Sequence, residues 1–131
     1  MMSRILMIED NPENLELMRY LLQAFGHVTL SADNGVDGLK IAVRERPDLI
    51  VCDIDLPRLD GYGVARALNT YPAFRRTPLI AVTALAMVGD REKVLAAGFD
   101  GYIGKPIEPT TFVRDVETFL GSTRLHAAPL A

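Results

Sequence analysis

The chain is predicted to fold as an α/β sandwich around a buried parallel sheet. Three observations predict it. Ile5-Leu6-Met7-Ile8, Leu49-Ile50-Val51-Cys52 and Leu79-Ile80-Ala81-Val82 are short, wholly apolar runs bounded by polar or turn residues, the pattern of strands covered on both faces. Segments with apolar residues at helical spacing lie between them. Strand and helix alternate five times, which right-handed crossover connections accommodate.

In chain order, the first strand ends abruptly in Glu9-Asp10-Asn11-Pro12. Residues 13–25 then place Leu17, Met18, Leu21 and Phe25 on one helical face, with Pro12 near the first turn and Gly26 as the stop. Val28-Thr29-Leu30 is a weaker strand. Residues 35–45 form a second helix through Val36, Leu39, Ile41, Ala42 and Val43, closed before Pro47. The strand at Leu49 ends in Asp53, and residues 61–69 carry Val64, Ala65 and Leu68 up to Tyr71-Pro72. The strand at Leu79 ends in Thr83. Residues 87–97 (Val88, Val94, Leu95, Ala97) form a fourth helix before Gly98, and Gly101-Tyr102-Ile103 a short fifth strand. Residues 109–120 close the pattern with Phe112, Val113, Val116, Phe119 and Leu120 before Gly121.

A length of 131 residues fits one domain, and 49% hydrophobic with 24% charged residues is ordinary for a folded chain. Residues 1–121 are taken as that domain, and residues 122–131 as a short tail expected to be disordered. One cysteine, Cys52, excludes an internal disulfide framework and any multi-cysteine metal site. A net charge of −3 argues against direct nucleic-acid binding. No apolar run approaches the ~20 residues of a membrane helix, and Met1-Met2-Ser3-Arg4 is not expected to open a signal peptide. A cytoplasmic location without membrane contact is expected.

The functional clue is what ends each strand. In a doubly wound sheet, ligands bind beyond the carboxyl ends of the strands. Those ends carry Glu9 and Asp10, then Asp53, then Thr83, and finally Lys105. Three converging carboxylates repel one another unless a cation joins them, and oxygen ligands without imidazole favour a hard ion such as Mg²⁺. A metal beside a carboxylate, facing a hydroxyl and an ammonium, suits phosphoryl transfer, which needs charge neutralisation and positioning.

From about Arg4 to Leu120 the chain resembles the receiver domain of two-component response regulators. The resemblance is carried by Glu9-Asp10-Asn11, Asp53-Ile54-Asp55-Leu56-Pro57, Val82-Thr83-Ala84 and Tyr102-Ile103-Gly104-Lys105-Pro106, with Asp60-Gly61 and Ala97-Gly98 at turns. Their common order and spacing make the match specific. It implies a doubly wound five-stranded parallel sheet in order 2-1-3-4-5, flanked by five helices.

The resemblance also implies roles. Asp53 would be the phosphoacceptor, taking a phosphoryl group from a histidine kinase or a histidine phosphotransfer protein. Glu9, Asp10, Asp53 and the backbone carbonyl of Asp55 would hold Mg²⁺. Thr83 would bond the phosphoryl oxygen, Lys105 would pair with its charge, and Thr83 with Tyr102 would form the switch. The Lys105–Pro106 bond would be cis. Such a chain is a signalling protein that catalyses only its own phosphorylation and dephosphorylation, here as a stand-alone switch or relay acting on a downstream protein.

Two departures bear on phosphoryl lifetime: Asp55 is acidic where many receivers are neutral or bulky, and Leu85 offers no hydrogen bond to water. Leu15 and Leu22 form a second stripe on the first helix, and together with Pro106 and Ile107 they are candidate docking residues for the phosphodonor. Asp53-Ile54-Asp55 also matches the nucleophile motif of haloacid dehalogenase-like phosphatases. Those enzymes carry it on their first strand and not their third. His27 and His126 lack partners at ligand spacing, and Cys52 reads as a small buried hydrophobe.

Overall fold

The computed structural model describes residues 3–84 and 89–120. Its elements are β1 (Arg4–Ile8), α1 (Pro12–Ala24), β2 (Val28–Ala32), α2 (Gly35–Glu45), β3 (Leu49–Asp53), α3 (Gly61–Leu68), β4 (Leu79–Thr83), α4 (Asp90–Ala96), β5 (Gly101–Gly104) and α5 (Phe112–Leu120). The strands pair in parallel in the order β2-β1-β3-β4-β5, as the resemblance implies. Among the described residues, no helix is long and apolar enough to cross a membrane. Leu85 and the tail from residue 121 onward lie outside the described residues.

The alternating direction of strand side chains divides the core into two layers. Leu6, Ile8, Ile50, Cys52, Leu79 and Ala81 face one side, where Ala42 of α2, Val64, Ala65 and Leu68 of α3, and Val94 of α4 cover them. Ile5, Met7, Leu49, Val51, Ile80 and Val82 face the other, under Met18 and Leu22 of α1 and Phe112, Val113 and Val116 of α5. Such double coverage is why the strands read as unbroken apolar runs. Cys52 lies in the first layer, and burial pushes its thiol well up, which suppresses thiolate chemistry.

Boundaries differ from the periodic pattern where local chemistry intervenes. The first helix starts one residue early, because Asn11 caps it by accepting from the Asn14 N–H and Pro12 occupies its first turn. Phe25, expected on the core face, stands past the helix end and is 63% exposed. The third helix stops at Leu68, with Asn69 as its cap. The last begins at Phe112 and not at 109, because Glu108 to Thr111 form a turn in which the Glu108 carboxylate accepts from Thr110. Of the fourth helix, predicted over 87–97, the described part is Asp90–Ala96. A short 3-10 turn at Pro72–Phe74, unpredicted, seats Phe74 in the core.

Leu22 is 0% exposed and packed in the α1/α5 layer, so it is a core residue and not a docking contact. Leu15 is half-buried against the same layer. The stripe is therefore the flank of the core, since a helix wedged between a sheet and α5 buries more than one row of side chains. Leu22→Ala is expected to cost about 2–5 kcal/mol in urea unfolding, and a loss under ~1 kcal/mol would contradict this packing.

Candidate functional site

Sheet register assembles the site. Ile8 is level with Cys52, Asp53 with Val82, and Thr83 with Gly104. The residues that end or immediately follow the strands therefore meet along one edge. The Glu9 N–H donates to the Ala32 carbonyl at 3.0 Å, which fixes the exit from β1, and the Asn11 N–H donates to Glu9 Oε2 at 3.1 Å. The turn that caps α1 thus also aims Glu9. Lys105 is tied to β4 by its own N–H, which donates to the Thr83 carbonyl at 2.9 Å. The Lys105–Pro106 bond is cis, as the resemblance implies.

Asp53 is held from three directions. Its Oδ2 accepts from Lys105 Nζ at 2.9 Å and its Oδ1 from the Asp55 N–H at 3.2 Å. Its backbone is pinned by α3: the Gly61 N–H donates to the Ile54 carbonyl at 2.8 Å, and a Cβ at Gly61 would lie 2.4 Å from the Asp53 carbonyl oxygen. Asp60 caps α3 through the Gly63 N–H at 2.8 Å. The loop from Asp53 to Asp60 is consequently clamped at both ends.

Charge is concentrated here with little water. Glu9 is 1% exposed and Asp53 3%. Asp10 is exposed, yet Glu9, Asp10 and Asp53 each offer an oxygen within 4.8 Å of the others. Burial, reinforced by the Asp53 carboxylate, pushes the Glu9 carboxyl up to about 7, although the Asn11 N–H and Lys105 work the other way. Burial disfavours the charge on Lys105, but its hydrogen bond to Asp53 and the neighbouring carboxylates hold its pKa above the usual value. Glu9 Oε1 is buried without a hydrogen bond, with Lys105 Nζ 3.6 Å away. A buried oxygen lacking a donor, in an all-oxygen acidic cluster, fits a hard divalent cation.

The remaining predicted residues surround this cluster. Thr83, half-exposed, ends β4. Asp55 is exposed at the rim. Tyr102 is half-buried on β5, with the Arg91 guanidinium 6.0 Å from its ring centroid. Pro106 is exposed, whereas Ile107 is buried in the α1/α5 layer. The structure adds a role and a contact that the sequence does not display. The backbone N–H of Asn11, named above only as part of a motif, orients Glu9, and the Asn-Pro pair is the sequence signal of that turn. Tyr62 carries Lys93 Nζ at 4.9 Å from its ring centroid, a contact between α3 and α4 without any short-range signature.

Comparison with known proteins agrees with the geometry. Residues 5–117 match the family described as response regulator receiver domain. The polar-differentiation response regulator DivK of Brucella anthropi is 40% identical over 121 residues, 92% of this chain and 98% of that protein. The receiver domain of the sensor histidine kinase PA1611 from Pseudomonas aeruginosa, crystallised with a magnesium ion coordinated in its active-site cleft, is 36% identical. It superposes with a TM-score of 0.84, covering 93% of this chain and all of that one. The receiver domain of a signal transduction histidine kinase from Syntrophus aciditrophicus is 32% identical, with a TM-score of 0.83 over 90% of this chain and 89% of its own.

The contact of Gly61 with the Asp53 backbone is open to direct test. Gly61→Ala forces a methyl group into the carbonyl oxygen of Asp53, and the cost expected from such overpacking is about 1–3 kcal/mol in denaturant unfolding. Unchanged stability would show that the loop yields freely.

Proposed function

The chain belongs to the response regulator receiver domain family, whose members act in phosphorylation-dependent two-component signalling, and on that premise we propose that Asp53 is its phosphoacceptor. The observation that carries this reading is the Lys105 ammonium poised between Asp53, at 2.9 Å, and the unsatisfied oxygen of Glu9, at 3.6 Å.

An Asp53 carboxylate oxygen attacks the phosphorus of a phosphohistidine on a histidine kinase or histidine phosphotransfer protein. The N–P bond breaks and its electron pair stays on the imidazole nitrogen, leaving an aspartyl phosphate on this chain. Lys105 balances charge on the transferred group, and the Thr83 hydroxyl bonds one of its oxygens. Glu9, Asp10, Asp53 and the Asp55 carbonyl would hold Mg²⁺, which would supply positive charge against the phosphoryl oxygens. Engagement of Thr83 draws its side chain toward the pocket and frees space for Tyr102, which alters the face presented to a downstream protein. Asp55 stands at the open rim, where its carboxylate can orient a water for hydrolysis, so the chain also catalyses loss of its own phosphoryl group. This is self-directed chemistry and not turnover of a free substrate.

A cation that binds only the folded chain stabilises it by mass action. At a Mg²⁺ concentration ten times its Kd, thermal or urea unfolding is expected to show about 1.4 kcal/mol of added stability. Asp10→Asn, at an exposed ligand, is expected to lose most of that response. An equal response in both proteins would remove Asp10 from the metal set.

Incubation with acetyl phosphate and Mg²⁺ is expected to add one phosphoryl group by intact mass. Asp53→Asn is expected to add none, while remaining folded by circular dichroism. An adduct persisting in folded Asp53→Asn would assign the acceptor elsewhere.

A further inference from the structure

The described part of the fourth helix is lightly held. Of its seven described residues, Val94 alone is buried, and Leu95 is exposed. Its two described flanks each rest on an aromatic ring. Arg91 lies 6.0 Å from the centroid of Tyr102 on β5, and Lys93 lies 4.9 Å from that of Tyr62 on α3. Residues two apart on a helix point to nearly opposite sides. The pair therefore straddles the helix, with Val94 between them as its core contact.

The two rings differ in what fixes them. Tyr62 directly follows Gly61, whose N–H holds the Ile54 carbonyl and whose Cα packs onto the Asp53 backbone. Both rings pack against the core layer of α2, α3 and α4, so the tie to the Asp53 loop is what sets Tyr62 apart. Burial, and then the carboxylates of Asp90, Asp55 and Asp60, push its hydroxyl up, so the surroundings of the ring are anionic and favour an ammonium over it. Tyr102 lies on β5 without such a tie, and in the switch proposed above it is the ring that would move.

We propose that Lys93 and Tyr62 form a cation–π clasp that positions α4 on the phosphoacceptor loop and is the pivot about which α4 turns when Tyr102 moves. Lys93 and Tyr62 are positioning residues: neither touches the reacting atoms. The clasp rests on an element clamped to Asp53, and so it persists while the Arg91 contact is made or lost. The pivot half of the proposal rests on the switch reading, whereas the clasp itself is a property of the unphosphorylated chain.

The test has two arms. In the unphosphorylated protein, amide hydrogen exchange of residues 90–96 is followed in Lys93→Gln, Lys93→Arg, Tyr62→Leu and Tyr62→Phe. A contact of this kind predicts about two- to fivefold faster exchange in Lys93→Gln and in Tyr62→Leu. No further increase is expected in their double variant, and protection is kept in Lys93→Arg and Tyr62→Phe. Lys93 is exposed, so Lys93→Gln is expected to fold even where Tyr62→Leu does not. Unchanged exchange in Lys93→Gln, or equal loss in Lys93→Arg, overturns the clasp.

In the second arm, the parent protein is saturated with Mg²⁺ and beryllofluoride, and its tyrosine ring resonances are recorded; four tyrosines keep the spectrum simple. The pivot predicts that the Tyr102 signals shift and broaden while those of Tyr62 hold their positions. Comparable displacement of both rings overturns the pivot. A silent Tyr102 overturns the switch reading and with it the pivot, and leaves the clasp to be judged by the exchange data.

Discussion

Two carboxylates buried side by side, Glu9 and Asp53, with one ammonium reaching both, set the terms for the rest of this molecule. Like charges at this depth are costly, and only close, well-oriented counter-charge makes them tolerable. That counter-charge arrives from β5, two strands away from β3, so the register of β3 on β4 and of β4 on β5 must hold for Lys105 to arrive. A slip of one residue would turn every inward side chain outward. The electrostatics of the site are thus paid for by the apolar strands, whose burial makes the register unique.

The unsatisfied oxygen of Glu9 follows from the same constraint. The turn that caps α1 supplies one donor to Glu9, and Lys105 favours Asp53 by geometry, which leaves the second oxygen facing the cluster. A fully satisfied pocket would have little to gain from a cation. This one keeps an acidic, partly uncompensated cluster at strand ends whose positions the sheet register fixes, as preorganised sites require.

Much of this was legible in the sequence, for identifiable reasons. Leu49 to Asp53 reads as a buried strand because both its faces are covered, and Glu9, Asp53, Thr83 and Lys105 stand out because each breaks or follows an apolar run. Boundaries set by side-chain capping were less visible. The Glu108 carboxylate delays α5 through a bond to Thr110 that apolar periodicity does not register. Leu22 reads as a flank in a helical projection, yet α5 lies against that flank, and no local pattern reports the approach of a helix 90 residues on. His27 is the plainest case. The sequence shows no partner for it at ligand spacing, but it is buried, accepts from the Ser3 N–H at 3.2 Å through Nδ1 and meets Glu117 at 2.7 Å through Nε2. It joins the start of β1, the turn after α1 and the outer face of α5, three segments that meet only in space.

The division of the core into two layers has a consequence of its own. The sheet is a wall: the buried side chains on its two faces form two separate clusters. Substitutions on opposite sides therefore share no packing partners, and their energetic effects combine independently. A volume change under α1 and α5 can therefore be absorbed on its own side of the sheet, provided the strands keep the register that holds the strand-end chemistry between the layers.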